Sequence, residues 1–293
     1  MGQTIFVVCR ESIEALLVIG ILYAWMNDRQ DAKTGKRWLF AGIVAGFGLA
    51  TLLTLTLIGV TDILGGEART WFEIGMLTFA SALIVQMVMW MRVHGRTLKQ
   101  EIESGLETNL SGEKNWWGVF FLAMIAVGRE GSETVMFLYG SLLQLDSFAS
   151  YMSFFMAASI GLALAMILFY ALQLGGRFIS WKWFFRVTEI MLLFLGSALF
   201  LAASEKLLSG PLGATDLPGW MYSNMWDMTS VLSDSSVLGN LLASLFAYRS
   251  QPIGWDLMIL SAFWVAVLLL LKWQSREKNK PITQTVVNAV SNN

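Results

Sequence analysis

The chain has 293 residues, 56% of them hydrophobic and 14% charged, with a formal net charge of -1. Soluble domains carry about 25% charged residues, which excludes an ordinary soluble domain, and the near-zero charge excludes the basic surface that nucleic acid requires. The single cysteine, Cys9, excludes an intrachain disulfide and any Cys-rich metal centre.

A spanning helix needs about 20 mostly apolar residues. Seven segments qualify: 4–26, 38–60, 71–92, 117–140, 149–173, 183–205 and 254–273. They predict an all-α polytopic membrane protein with seven transmembrane helices in one transmembrane domain over 1–273. The opening residues, MGQTIFVVC, have no basic region and no small-residue cleavage site, so the first segment reads as a retained span. Trp25, Trp38, Trp71, Trp90, Trp116, Trp117 and Trp273 sit near span ends, as expected of an interfacial belt, and receive no other role. The outer loop, 206–253, begins Gly- and Pro-rich, and its stretch 226–248 predicts an amphipathic helix outside the bilayer core. Residues 99–113 read as a solvated linker and 274–293 as a polar cytoplasmic tail. His94, the only histidine, reads as a surface residue past the end of span three.

Orientation follows from the basic residues. Of the 20 Lys and Arg, 15 lie between spans one and two, three and four, five and six, or after span seven. Only Arg69, Lys206 and Arg249 lie on the other side. The positive-inside rule then places the N-terminus outside and the C-terminus in the cytoplasm.

The remaining two arginines lie inside spans, in two motifs of identical form. Arg10-Glu11-Ser12-Ile13-Glu14 is repeated 119 residues later as Arg129-Glu130-Gly131-Ser132-Glu133. A second echo pairs Glu73-Ile74-x-x-Leu77-x-x-x-Ser81-Ala82-Leu83 with Glu189-Ile190-x-x-Leu193-x-x-x-Ser197-Ala198-Leu199, at an offset of 116. Spans one to three (about 4–92) therefore resemble spans four to six (about 117–205). Three is odd, so the two units run in opposite directions. Such inverted repeats are typical of secondary transporters, with the substrate site at the repeat interface near the midplane.

A charged group at the centre of a spanning helix costs roughly 2.5–3.5 kcal/mol on the insertion scale. At about 100° per residue, Arg10, Glu11 and Glu14 share one helix face, and Arg129, Glu130 and Glu133 repeat it. If the pseudo-two-fold axis joins spans one and four, four carboxylates and two guanidiniums converge with a net charge of minus two. Carboxylates are hard ligands, suited to a divalent or trivalent hard cation. Glu11, Glu14, Glu130 and Glu133 are thus the candidate metal ligands, with Arg10 and Arg129 balancing charge. The competing structural reading is an Arg–Glu pair that holds the bundle together. Glu73 and Glu189 are either entry and exit ligands or helix-start residues favoured by the dipole.

These motifs resemble the oxidase-dependent iron permeases, whose hallmark is Arg-Glu-x-x-Glu in the first and fourth of seven spans. The segments 72–92 and 226–248 add to the resemblance, which covers most of 1–273; Ser12 departs from it, since the family more often has Gly there. The resemblance implies iron import across the cytoplasmic (inner) membrane, with iron as transported substrate and no permanent cofactor. It further implies periplasmic partners that oxidise or deliver iron, namely a haem peroxidase and a cupredoxin-like protein. The rival expectations are a permease for manganese or lead, and an intramembrane carboxylate metalloenzyme. Helical-bundle di-iron sites use Glu-x-x-His pairs, and no span has a central histidine. Valence of the iron, energy coupling and oligomeric state stay open at this level.

Overall fold

In a computed structural model the described residues are 2–27, 32–94, 116–142, 147–174, 181–213 and 218–278. The linker 99–113, Asp216, the His94 side chain and the tail beyond 278 lie outside them. Eight α-helices are present among the described residues: α1 (Gly2–Asn27), α2 (Ala32–Ile63), α3 (Gly66–His94), α4 (Trp117–Leu142), α5 (Phe148–Leu174), α6 (Trp181–Ser209), α7 (Val237–Phe246) and α8 (Gly254–Lys278). Helix is the expected answer for apolar segments in lipid, because it satisfies every backbone N–H and C=O within the segment. Several helices run past the apolar stretches that predict them: α2 begins at Ala32 and α3 at Gly66.

Helices α2, α3, α5, α6 and α8 are long and apolar enough to cross a membrane. The chain is a multi-pass membrane protein on that ground. Helices α1 and α4 have 26 residues each, and differ by carrying three ionisable side chains apiece in mid-helix.

The packing follows a pattern of exchange. Helix α2 packs along α4, α5 packs along α1, α1 meets α4, and α3 lies along α6. The main core joins Val7 of α1, Leu77, Ile84 and Val88 of α3, Phe137 of α4, Leu192, Leu195 and Leu199 of α6, and Phe263 of α8. A second cluster at one end joins Leu22 and Met26 of α1 to Leu39 of α2 and Val119 of α4. By contrast Phe40, Phe47 and Leu55 of α2, Phe155 and Ile167 of α5, and Leu268 and Leu269 of α8 face outward. Outward apolar bands on spanning helices are lipid-facing surface.

Two glycines set how closely the outer helices approach the motif helices. A Cβ on Gly46 of α2 would lie 2.8 Å from Val127 Cβ and 2.9 Å from Gly128 N, immediately before Arg129. A Cβ on Gly161 of α5 would lie 2.8 Å from Ile5 O and 3.3 Å from Cys9 N, immediately before Arg10. Small residues at helix contacts let backbones approach where no hydrophobic force drives association.

The loop between α6 and α8 corrects one expectation. The helix anticipated over 226–248 begins only at Val237. Its first half is captured by acidic side chains: Asp227 accepts from the Thr229 amide (2.9 Å) and hydroxyl (2.6 Å), and Asp234 accepts from the Ser250 amide (2.9 Å). Such local side-chain bonds compete with helix formation. The short helix α7 starts on a Ser236 cap that accepts from Gly239 N at 3.0 Å. It ends at Ala247, in the left-handed region at φ 56°. Arg249 then ties the loop to α6 through two bonds to Glu205, at 2.8 and 2.9 Å.

Candidate metal centre

Helices α1 and α4 bring the two motifs together. Carboxylate oxygens of Glu11, Glu14 and Glu130 lie within 4.8 Å of one another. Glu133, the fourth predicted carboxylate, is near enough for its charge to act on Glu11, Glu14 and Glu130. Glu11 and Glu130 are buried, and Glu14 and Glu133 nearly so. Each motif face is a property of helix geometry, since positions i, i+1 and i+4 cluster on one side.

The arginines hold these carboxylates unequally. Arg10 is 3% exposed; its Nη1 donates to Glu11 Oε1 at 2.6 Å and its Nη2 contacts Glu14 Oε1 at 2.5 Å. Arg129 is 44% exposed; its Nε donates to Glu133 Oε1 at 2.9 Å and stands 3.9 Å from Glu130 Oε1. Even so, Glu11 Oε2, Glu130 Oε2 and Glu133 Oε2 are buried without a hydrogen-bond partner among the described residues. An unsatisfied buried carboxylate oxygen is costly, because its hydration has been given up for nothing. Oxygens of this kind, converging from two helices, form a donor set that fits a hard cation.

Helix α3 completes the surroundings with two methionines that carry no assignment from the sequence and with Trp90, which the sequence places in the interfacial belt. Met87 and Met91, four apart on one face, point their sulfurs at Arg10: Nη1 lies 3.3 Å from Met87 Sδ, and Nη2 lies 3.1 Å from Met91 Sδ. The Trp90 ring lies under the Arg129 guanidinium, 5.0 Å from its centroid, a favourable cation–π position. The available signal was the cluster Met87, Trp90, Met91 recurring at helical spacing in the same span as Glu73.

Glu73 and Glu189 are not part of this cluster. Each is engaged by cations. Glu73 of α3 accepts from Arg69 Nε at 2.9 Å and from Lys206 Nζ of α6 at 2.7 Å. Glu189 of α6 is paired with Arg92 of α3. A cavity of about 750 Å³ opens beside Glu73, with Gln3, Thr4, Arg69, Tyr139, Lys206 and Arg249 among its lining. It thus gathers the three basic residues Arg69, Lys206 and Arg249 that stand apart from the rest in the charge pattern. At its edge Tyr139 Oη meets Thr61 Oγ1 at 2.8 Å.

Buried carboxylates paired between the helices of a polytopic membrane protein are the kind of feature that marks substrate and ion pathways in membrane transporters as a class. The chain belongs to the iron permease FTR1 family, whose profile matches residues 1–275. Among its relatives is the ferrous iron permease EfeU of Escherichia coli O157:H7, 26% identical over 252 residues, covering 84% of this chain and 86% of the relative. The protein of the same name from Yersinia pestis is 25% identical over 265 residues, covering 89% of each. No solved structure matches the chain significantly.

Proposed function

We propose that this protein imports iron across the cytoplasmic membrane, with Glu11, Glu14, Glu130 and Glu133 binding and relaying the ion near the bilayer midplane. The observation that carries this reading is the convergence of carboxylates from two motif helices within 4.8 Å, with oxygens left unsatisfied in a buried setting. Family membership supports iron as the cargo. Seven spans, α1 to α6 and α8, form the permease, with the N-terminus outside. The exchanged packing of α2 on α4 and α5 on α1 supports an inverted repeat, as do the matching close approaches at Gly46 and Gly161. In that frame the cavity beside Glu73 is the external vestibule. Glu73 and Glu189 are outer and inner way stations, each released from its cations as the ion passes. Periplasmic oxidising or delivering proteins supply the ion, a role for which the family resemblance is the support.

The test is uptake of radioactive iron in proteoliposomes by the wild type and by the Glu14→Ala and Glu133→Ala variants, under oxidising and reducing conditions. Loss of uptake in both variants is expected. Intact uptake would return the motifs to a structural role.

A further inference from the structure

The cavity beside Glu73 carries the wrong sign for a free cation. Its lining holds three cations, Arg69, Lys206 and Arg249, against one carboxylate, Glu73. Arg249 is answered from outside the lining by Glu205, at 2.8 and 2.9 Å. Arg69 and Lys206 share Glu73: Arg69 Nε donates to Oε1 at 2.9 Å and Lys206 Nζ donates to Oε2 at 2.7 Å. Asp62 reaches Arg69 through its charge, with no ion pair between them among the described residues. The terminal nitrogens of Arg69 and the other ammonium protons of Lys206 have no hydrogen-bond partner among the described residues. Both side chains are nearly half exposed, at 47% and 44%. Ser150 and Ser153 of α5 and Asn240 of α7 add hydroxyl and amide groups to the wall. Glu73 itself displays what the two cations are set to hold, a single carboxylate with one oxygen to each.

A cleft lined by one sign of charge concentrates ions of the other sign. The volume, about 750 Å³, falls within the range of small-molecule pockets. We propose that the cavity binds a small polycarboxylate anion, one carboxylate of which takes the place of Glu73 between Arg69 and Lys206. More than one carboxylate is required, because Glu73 is tethered and competes for that place at high effective concentration. The ligand's remaining carboxylates meet the charge of Arg249 and the polar groups of Ser150, Ser153 and Asn240. The exchange frees Glu73 from both cations, and the anion offsets the charge that would repel an arriving metal ion. Carboxylates also hold hard cations, so a metal ion that enters in a polycarboxylate shell leaves the shell on Arg69 and Lys206 and passes to Glu73. Anion binding stands on the cavity alone. The transfer to Glu73 rests on the reading of the cavity as the external vestibule.

The experiment is equilibrium dialysis of the full-length protein in detergent against ¹⁴C-labelled tricarballylate, in buffer stripped of metal ions, for the wild type and for Arg69→Gln, Lys206→Gln and Glu73→Gln. The wild type is expected to bind saturably at one site. Each cation variant is expected to bind about threefold more weakly, within the range of a solvent-open ion pair. Glu73→Gln is expected to bind about threefold more tightly, because the internal competitor is gone. That gain separates an anion site from a structural cluster, in which loss of any member weakens binding, and misfolding does not mimic it. Absence of saturable binding, weaker binding by Glu73→Gln, or displacement by acetate as readily as by unlabelled tricarballylate overturns the proposal. Uptake of radioactive iron by the same wild-type preparation in proteoliposomes tells the two readings apart. Uptake without anion binding overturns the anion site and leaves the proposed function standing. Anion binding without uptake supports the site and overturns the vestibule reading.

Discussion

Lys206 of α6 reaches across to Glu73 of α3 at 2.7 Å, while at the other end of the same helix pair Arg92 of α3 is paired with Glu189 of α6. Each helix gives one carboxylate and takes one, so the pair is fastened at both ends. Between the two fastenings, Ser81 Oγ donates to Gly196 O at 2.8 Å. Lys206 and Arg92 are 44% and 40% exposed, and ion pairs open to solvent contribute about 0–1 kcal/mol. Fastenings of that strength open and close readily. Lys206→Gln should therefore favour opening at the Glu73 end, raising the labelling rate of Thr4→Cys in a Cys9→Ala background by up to about fivefold, the factor worth about 1 kcal/mol. Arg92→Gln should leave that rate unchanged or lower it. An impermeant thiol reagent on intact cells measures both.

The two motif arginines should differ in their weight on stability. Removing one partner from a buried ion pair costs about 3–5 kcal/mol, because the other charge is left uncompensated. Arg10 is 3% exposed and Arg129 44% exposed. Arg10→Gln should lower the melting temperature in detergent sharply, whereas Arg129→Gln should lower it little. Equal losses in the two variants would contradict the asymmetry.

Close approach at Gly46 can be tested against a neighbour on the same helix. A Cβ on Gly46 meets α4 at 2.8 Å, while one on Gly48 meets nothing within 4 Å. Overpacking typically costs about 1–3 kcal/mol. Gly46→Ala should reduce both thermal stability and iron uptake, since it pushes on the backbone that carries Arg129. Gly48→Ala should be neutral or slightly stabilising, as replacing helical glycine by alanine usually is.

Acidity should act on the outer loop through Asp227. The hydrogen bond from the Thr229 hydroxyl, followed by those from the Thr229 amide and Gln251, holds its carboxyl below the ordinary value of 3.8. A depressed value means that the stabilisation is fully present above about pH 3.8 and fades as pH falls through the lower, folded value. The loop should therefore resist proteolysis unchanged between about pH 5 and 8. Asp227→Asn, which weakens acceptance from Thr229 or Gln251 at any pH, should be cut faster at neutral pH in a limited-proteolysis assay.

Much of this arrangement was legible in the sequence because it depends on local periodicity. The faces shared by Arg10, Glu11 and Glu14, and by Arg129, Glu130 and Glu133, follow from helix geometry whatever surrounds them. Apolar length located the long helices, five of which are long and apolar enough to cross a membrane, though not their ends, because helices continue past the stretch that lipid demands. What Arg10 touches on α3 was not legible. Met87 and Met91 lie 77 and 81 residues away in the chain, and no local pattern encodes which helix will lie beside α1. The same holds for Lys206 and Arg92: read as orientation charges, they serve as partners for Glu73 and Glu189. The delayed start of α7 was hidden for a different reason. Asp227 and Asp234 look helix-compatible in an amphipathic window, but they accept from backbone amides in the loop, and the helix starts only after them at Val237.

Under the proposed function, Arg10 also changes what binding at this centre would mean. Its guanidinium is tethered to the site, so it competes with every incoming ion at an effective concentration far above that of free cations, which for short tethers reaches the millimolar range or more. Binding becomes an exchange of one positive group for another, and abundant weak binders are turned away by the incumbent. The same tether works in reverse. Once the carrier's geometry loosened around the ion, the returning side chain would expel it, so the centre would empty without having to be a poor binder.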